Sequence, residues 1–166
     1  MEEIILLLGS NKGNRINFLR EAVKRLSSIS KSPVLTSSVY ESEPWGFDAE
    51  TWFLNMAVRI TSDKTPRELI REVANIEEEF GRVRNPDSNG YESREIDIDI
   101  IFYGSRVINT RELVIPHPRM HLRRFVLAPV CEICPYFIHP VINKRVDGIL
   151  ELCEDNSVVV KSCTTL

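Results

Sequence analysis

Between residues 94 and 101 the chain reads Arg94-Glu95-Ile96-Asp97-Ile98-Asp99-Ile100-Ile101. In an extended strand successive side chains alternate sides, so Asp97 and Asp99 project from one face and Ile96, Ile98 and Ile100 from the other. Two adjacent carboxylates repel each other unless a cation lies between them. Hard oxygen ligands on a rigid strand suit Mg²⁺, which keeps several waters and takes phosphate oxygens from a substrate. Alone, an Asp-x-Asp pair is more often a solvated strand face. Here it stands among Arg82, Arg84, Arg94, Arg106, Arg111, Arg119, Arg123 and Arg124, in a stretch without Lys. Arg offers a planar fork that holds phosphate through two parallel hydrogen bonds, whereas Lys is a flexible point charge. Divalent metal plus Arg is the equipment needed to hold a polyphosphate and to stabilise charge that moves during phosphoryl transfer. Neither GxxxxGK[ST] nor GxGxxG is present, so side chains must hold the phosphates.

A second alternating pair, Phe53 and Asn55, falls on one strand face, where a ring could stack a flat heterocycle and a carboxamide could read its edge. Taken alone, Phe53 is more often a core residue. His117 lies between Pro116 and Pro118 and therefore cannot join His121 as a helical metal pair; contact with a phosphate or leaving group and a plain loop position both remain open. Cys131 and Cys134 form one Cys-x-x-Cys pair, half of a zinc site, and are expected with Cys153 and Cys163 to be free thiols, the helical pair buried.

The elements that must position these groups follow from periodicity. Ile4 to Leu8 is wholly apolar and ends at Gly9-Ser10-Asn11, as a strand buried on both faces would. Asn14 caps a helix with apolar positions Leu19, Val23, Leu26 and Ile29. Val34 to Glu43 and Phe53 to Thr61 read as antiparallel strands around a loop with Pro44, Trp45 and Gly46. Thr65-Pro66-Arg67-Glu68 is a capping box, and Leu69, Val73, Ile76 and Phe80 form a stripe that Gly81 ends. A polar loop over 82–93 leads into a strand from about Ile96 to Tyr103. The order βαββαβ predicts an α+β, ferredoxin-like core whose antiparallel sheet carries both helices on one face. A helix near Arg123 to Ile133 and shorter elements follow, with a frayed tail at residues 163–166.

A length of 166 residues with 43% hydrophobic and 27% charged residues predicts one folded domain spanning 1–166. No apolar run approaches a bilayer span, the first residues are acidic, and the net charge of −3 lacks the basic field of a general nucleic-acid binder. The expectation is a cytoplasmic protein, monomeric, with neither nucleic acid nor membrane as partner.

Together these residues resemble the 6-hydroxymethyl-7,8-dihydropterin pyrophosphokinase family of folate biosynthesis. The shared elements run from Leu8 to about Pro140. They are Leu8-Gly9-Ser10-Asn11, Glu43-Pro44-Trp45-Gly46, Phe53-Leu54-Asn55, Glu77 with Gly81-Arg82-Val83-Arg84, Arg94 to Asp99, Ile115-Pro116-His117-Pro118-Arg119-Met120, and Arg123-Arg124-Phe125. The resemblance implies transfer of pyrophosphate from ATP to the hydroxymethyl pterin, with release of AMP and use of two Mg²⁺ ions. It further implies that Asp97 and Asp99 hold the metals and act in catalysis with Arg82 and Arg94. Glu77, Arg84, His117 and Arg123 would serve ATP; Ser42, Pro44, Trp45, Phe53, Asn55 and Phe125 would form the pterin pocket. One departure stands out: Gly90-Tyr91-Glu92-Ser93 replaces the family's usual basic-Trp-Gly-Pro run before Arg94, so lid closure over ATP is expected to use other contacts. The altered lid also keeps open a non-catalytic ferredoxin-like module that binds a nucleotide or pterin. An unrelated nucleotidyltransferase is disfavoured because no Gly-Ser signature precedes the aspartates.

Overall fold

The computed structural model describes residues 1–45, 51–81, 94–164 and 166. Strand β1 (Glu2–Ser10) lies between β4 (Phe53–Ser62) and β5 (Asp97–Tyr103) and runs antiparallel to both. Its unbroken apolar run has a simple cause: each face of β1 is covered by a separate core. Ile4, Leu6 and Leu8 pack under helices α1 (Arg15–Ile29) and α2 (Pro66–Glu79) with Leu19, Leu26, Leu69 and Ile76. Ile5 and Leu7 pack on the opposite side with Val126, Leu127 and Val130 of α3 (Arg124–Ile133) and Val146 and Ile149 of α4 (Val146–Glu151).

Both predicted caps form. The Asn14 side chain accepts the N–H of Asn17, and Thr65 and Glu68 exchange side-chain and backbone hydrogen bonds in a complete capping box, with Pro66 in the first turn. Gly81 follows α2 at φ +89°, a left-handed conformation that few residues other than Gly adopt readily.

The predicted strand over Val34 to Glu43 is two short ones, β2 (Leu35–Thr36) and β3 (Tyr40–Ser42), both antiparallel to β4. The break occurs at Ser37, whose hydroxyl accepts the Ala57 N–H at 2.9 Å, so a side chain takes over a ladder bond. β3 in turn pairs with β8 (Val159–Lys161), giving the order β5-β1-β4-β3-β8 with β2 also on β4. The βαββαβ elements thus assemble as the α+β, ferredoxin-like sheet, and the C-terminal helices add a third layer. A separate hairpin joins β6 (Ile108–Asn109) to β7 (Val114–Ile115). The cysteines are free, but Cys131 and Cys134 are only partly buried, because they lie at the last turn of α3 rather than along its core stripe, and Cys163 is exposed. Among the described residues no helix is long and apolar enough to cross a membrane.

Candidate active site

Alternation along β5 sends Ile98 and Ile100 into the core under α1 and α2, and leaves Asp97 and Asp99 on the opposite face. The same rule acts on the neighbours. On β1, Gly9 pairs with Asp97 on one side and Asn55 on the other; on β4, Phe53 and Asn55 share that face; on β3, Ser42 pairs with Phe53. The apolar layer under α3 and α4 ends before it reaches this end of the sheet. What remains is a cavity of about 310 Å³ lined by Ser42, Trp45, Phe53, Asn55, Arg94, Asp97, Asp99, His117, Arg123 and Phe125, all of them predicted site residues.

The polar groups are oriented by specific partners. Nδ2 of Asn55 donates to the buried Ser42 hydroxyl at 2.8 Å, which turns the acceptor end of the amide away from that bond. Gly9 makes the floor low: a Cβ there would sit 3.3 Å from Asn55 Oδ1 and 3.7 Å from the Phe53 ring. The Arg123 guanidinium is almost wholly buried and lies 4.5 Å from the centre of the Trp45 ring and 5.7 Å from that of Phe125, so two aromatic faces replace part of its hydration. Arg94 donates to Asp97 across 3.0 Å. Its backbone is held as well: the N–H of Arg94 donates to Asn11 Oδ1 at 2.8 Å and its carbonyl accepts the Asn11 N–H at 3.2 Å.

Electrostatics mark the same floor. Burial, with the neighbouring Asp97 and Glu77 carboxylates adding to it, pushes the Asp99 pKa up to about 7. Burial also lowers the His117 pKa to about 4, helped by the positive charges of Arg123 and Arg119. His117 Nδ1 accepts the Arg119 N–H at 3.3 Å, which leaves the ring proton on Nε2. Two neighbouring carboxylates, open to a cavity and flanked by Arg, fit a divalent cation that draws its other ligands from phosphate and water. Among the described residues no cluster of three or more His, Cys, Asp or Glu forms a self-sufficient metal cage.

Two described residues among those predicted lie elsewhere than the cavity wall. Pro44 does not line it. Glu77 is buried on α2, and its Oε1 accepts the Ile98 N–H at 2.9 Å, gripping β5 between the two aspartates. Arg82 and Arg84, like the departing run Gly90 to Ser93, lie outside the described residues. The sequence reading missed Leu7, Gly9, Pro118 and Arg119 as lining residues, and the expected segment Ser42 to Trp45 contributes Glu43 as well. A Gly closing an apolar strand was a usable signal for Gly9, and the run of arginines and the His117 motif were signals for Arg119 and Pro118; nothing local marked Leu7.

The family model described as 7,8-dihydro-6-hydroxymethylpterin-pyrophosphokinase (HPPK) matches residues 5–135. The Aquifex aeolicus protein named 2-amino-4-hydroxy-6-hydroxymethyldihydropteridine pyrophosphokinase is 38% identical over 144 residues, 87% of this chain and 88% of that protein. The Bacillus subtilis protein of the same name is 42% identical over 130 residues, 78% and 76% of the two chains. The folic acid synthesis protein fol1 of Pneumocystis carinii is 37% identical over 157 residues, and there this chain spans only 21% of the relative's length. Among solved structures, Plasmodium falciparum HPPK-DHPS wild type with pteroate shares the fold at a TM-score of 0.72 and 15% identity, covering 91% of this chain and 42% of the other. With a family match across most of its length and two relatives of similar size, the chain belongs to the 7,8-dihydro-6-hydroxymethylpterin-pyrophosphokinase family.

Proposed function

We propose that this chain transfers pyrophosphate from ATP to 6-hydroxymethyl-7,8-dihydropterin with release of AMP, in the cavity that Asp97 and Asp99 floor. The observation that carries the reading is the shared-face pair of carboxylates, set between a wall of aromatic side chains and a wall of Arg and His. Relatives of similar length named as this enzyme support turnover rather than a binding-only module.

In this reading the pterin lies between Phe53 and Phe125, with Ser42 and Trp45 at its margin. The Asn55 amide, one of its two N–H donors used on Ser42, offers its oxygen to a ligand N–H. Asp97 and Asp99 would hold two Mg²⁺ ions, which would supply charge neutralisation across the phosphates and a template for in-line attack. Arg94, Arg123 and His117 meet the triphosphate together with Arg82 and Arg84, and Glu77 contributes by fixing β5 from behind. The hydroxymethyl oxygen forms a bond to the β-phosphorus as the bond from that phosphorus to the oxygen bridging it to the α-phosphorus breaks; AMP leaves and the hydroxyl proton is lost. No covalent enzyme intermediate is needed, so the protein works by alignment and by charge stabilisation. The reaction so read belongs in the cytoplasm, where ATP and Mg²⁺ are available.

The test is direct. Incubation with ATP, Mg²⁺ and the hydroxymethyl dihydropterin should release AMP and form the pterin diphosphate ester. Binding of both substrates without AMP release would overturn the reading in favour of a binding module.

A further inference from the structure

The first turn of α3 is built against the usual rules for a helix start. Its N-cap position is Arg123, which makes no side-chain cap, and the first turn carries no acid. Two arginines, Arg123 and Arg124, instead place positive charge at the positive end of the helix dipole. The local sequence gives no remedy, and a distant segment does: Asp155 Oδ2 accepts the Arg124 N–H at 2.8 Å, while Oδ1 accepts the Ser157 N–H at 3.0 Å. Burial alone would raise the Asp155 pKa, but these N–H donors outweigh it and hold the carboxyl below its ordinary value.

The strand that follows Asp155 is tied to the opposite wall of the cavity. The Val158 N–H donates to Glu43 Oε1 at 2.8 Å, the Glu43 N–H donates back to the Val158 carbonyl at 3.4 Å, and β8 continues along β3 with Val159 opposite Ser42. Residues 155–161 therefore staple the helix start that carries Arg123 and Phe125 to the strand end that carries Ser42 and Glu43. This segment lies beyond residue 135, where the family match ends.

We propose that Asp155 is a positioning residue for the reaction: by capping α3 from the far end of the chain it sets Arg123 and Phe125 at the right distance from Trp45 and Phe53. The inference rests on the functional reading above. It explains how the chain keeps a buried guanidinium at a helix N-terminus, where a local Ser or Asp cap would have displaced the Arg that the pocket uses.

The experiment compares the full chain with Asp155→Ala, Asp155→Asn and Thr65→Ala. The last removes a cap of similar chemistry at α2, away from the cavity. Asp155→Ala should raise the KM for the pterin about fivefold, the cost of one lost cap spent on pocket order, and kcat should move by less than about twofold. Asp155→Asn should return KM to within about twofold of the parent, because an amide oxygen caps nearly as well. Thr65→Ala should lower the melting temperature with KM unchanged. If Asp155→Ala only lowers the melting temperature, as Thr65→Ala does, or if Asp155→Asn fails to rescue KM, the inference is overturned while the enzyme assignment stands. A parent chain that releases no AMP overturns the assignment itself. Amide hydrogen exchange at Arg124 then tests the cap alone: protection should be lost in Asp155→Ala, and retained protection would overturn it.

Discussion

The two faces of this one sheet are made by the same strands and have opposite composition. Beneath α1 and α2 every described β5 side chain up to the bulge near Ile100 is aliphatic, and Ile4, Leu6, Leu8, Met56, Val58 and Ile60 close the layer without a polar atom. On the other face the apolar layer under α3 and α4 stops at Leu7 and Ala57, and Gly9, Asn55, Asp97 and Asp99 continue it as a polar floor. A strand cannot choose its two faces independently of its period. The difference teaches that one face supplies the rigidity with which the other holds charges that raise the free energy of the fold.

Substitutions across the sheet should therefore separate activity from stability. The largest effect is expected from Asp97→Asn or Asp99→Asn, which should lower turnover by on the order of a thousandfold or more, since an amide loses the charge that recruits the metal. Steady-state AMP release measures this, with circular dichroism confirming an intact fold; near-normal turnover would end the distinction between the faces. On the apolar face, Leu6→Ala should cost about 2 to 5 kcal/mol of stability by chemical denaturation, while the kcat of the folded fraction stays within about twofold of the parent.

The next effect depends on pH. Asp99 titrates at about 7 in the folded protein and near the ordinary carboxylate value when unfolded, so the unfolded chain holds fewer protons between these two values. Metal-free stability from this group is consequently lost as pH rises from about 4 to about 7. Asp99→Asn should remove that loss, so that melting curves show the variant gaining on the parent as pH rises through this window. Mg²⁺ should stabilise the parent more near pH 8 than near pH 5, because the ion requires the ionised carboxylates. A pH-independent difference between the two proteins would contradict the burial of Asp99 beside two other carboxylates. The smallest effect is expected at Thr65→Ala, about 1 kcal/mol of stability by thermal or urea unfolding with no change in KM for either substrate.

What was legible locally was whatever depends on near neighbours. The capping box at Thr65, the Asn14 cap, the stop at Gly81 and the shared faces of Asp97 with Asp99 and of Phe53 with Asn55 each involve residues a few positions apart, where backbone geometry alone sets the outcome. The start of α3 is the counterexample, because its cap comes from a residue 31 positions away. The C-terminal end of α3 is similar: Glu132 accepts from the Ser38 N–H at 3.2 Å, the Ser38 hydroxyl at 2.9 Å and the Tyr40 hydroxyl at 2.7 Å, all more than 90 positions distant. Burial and the bond to Glu132 raise the Tyr40 pKa, so this tie persists across the physiological range.

By itself the sequence determined the element order, the two alternating pairs, the supply of arginines and the family resemblance, because these follow from residue type and a period of two or 3.6. Tertiary structure alone decided that β2 and β3 part at Ser37, that Glu77 grips β5 from the far side, that Gly9 lowers the floor, and that Asp155 caps α3. Each of these is a hydrogen bond or a close approach between segments far apart along the chain. No local rule encodes such a contact; it exists only once the two cores have packed against β1 and brought the distant groups within reach.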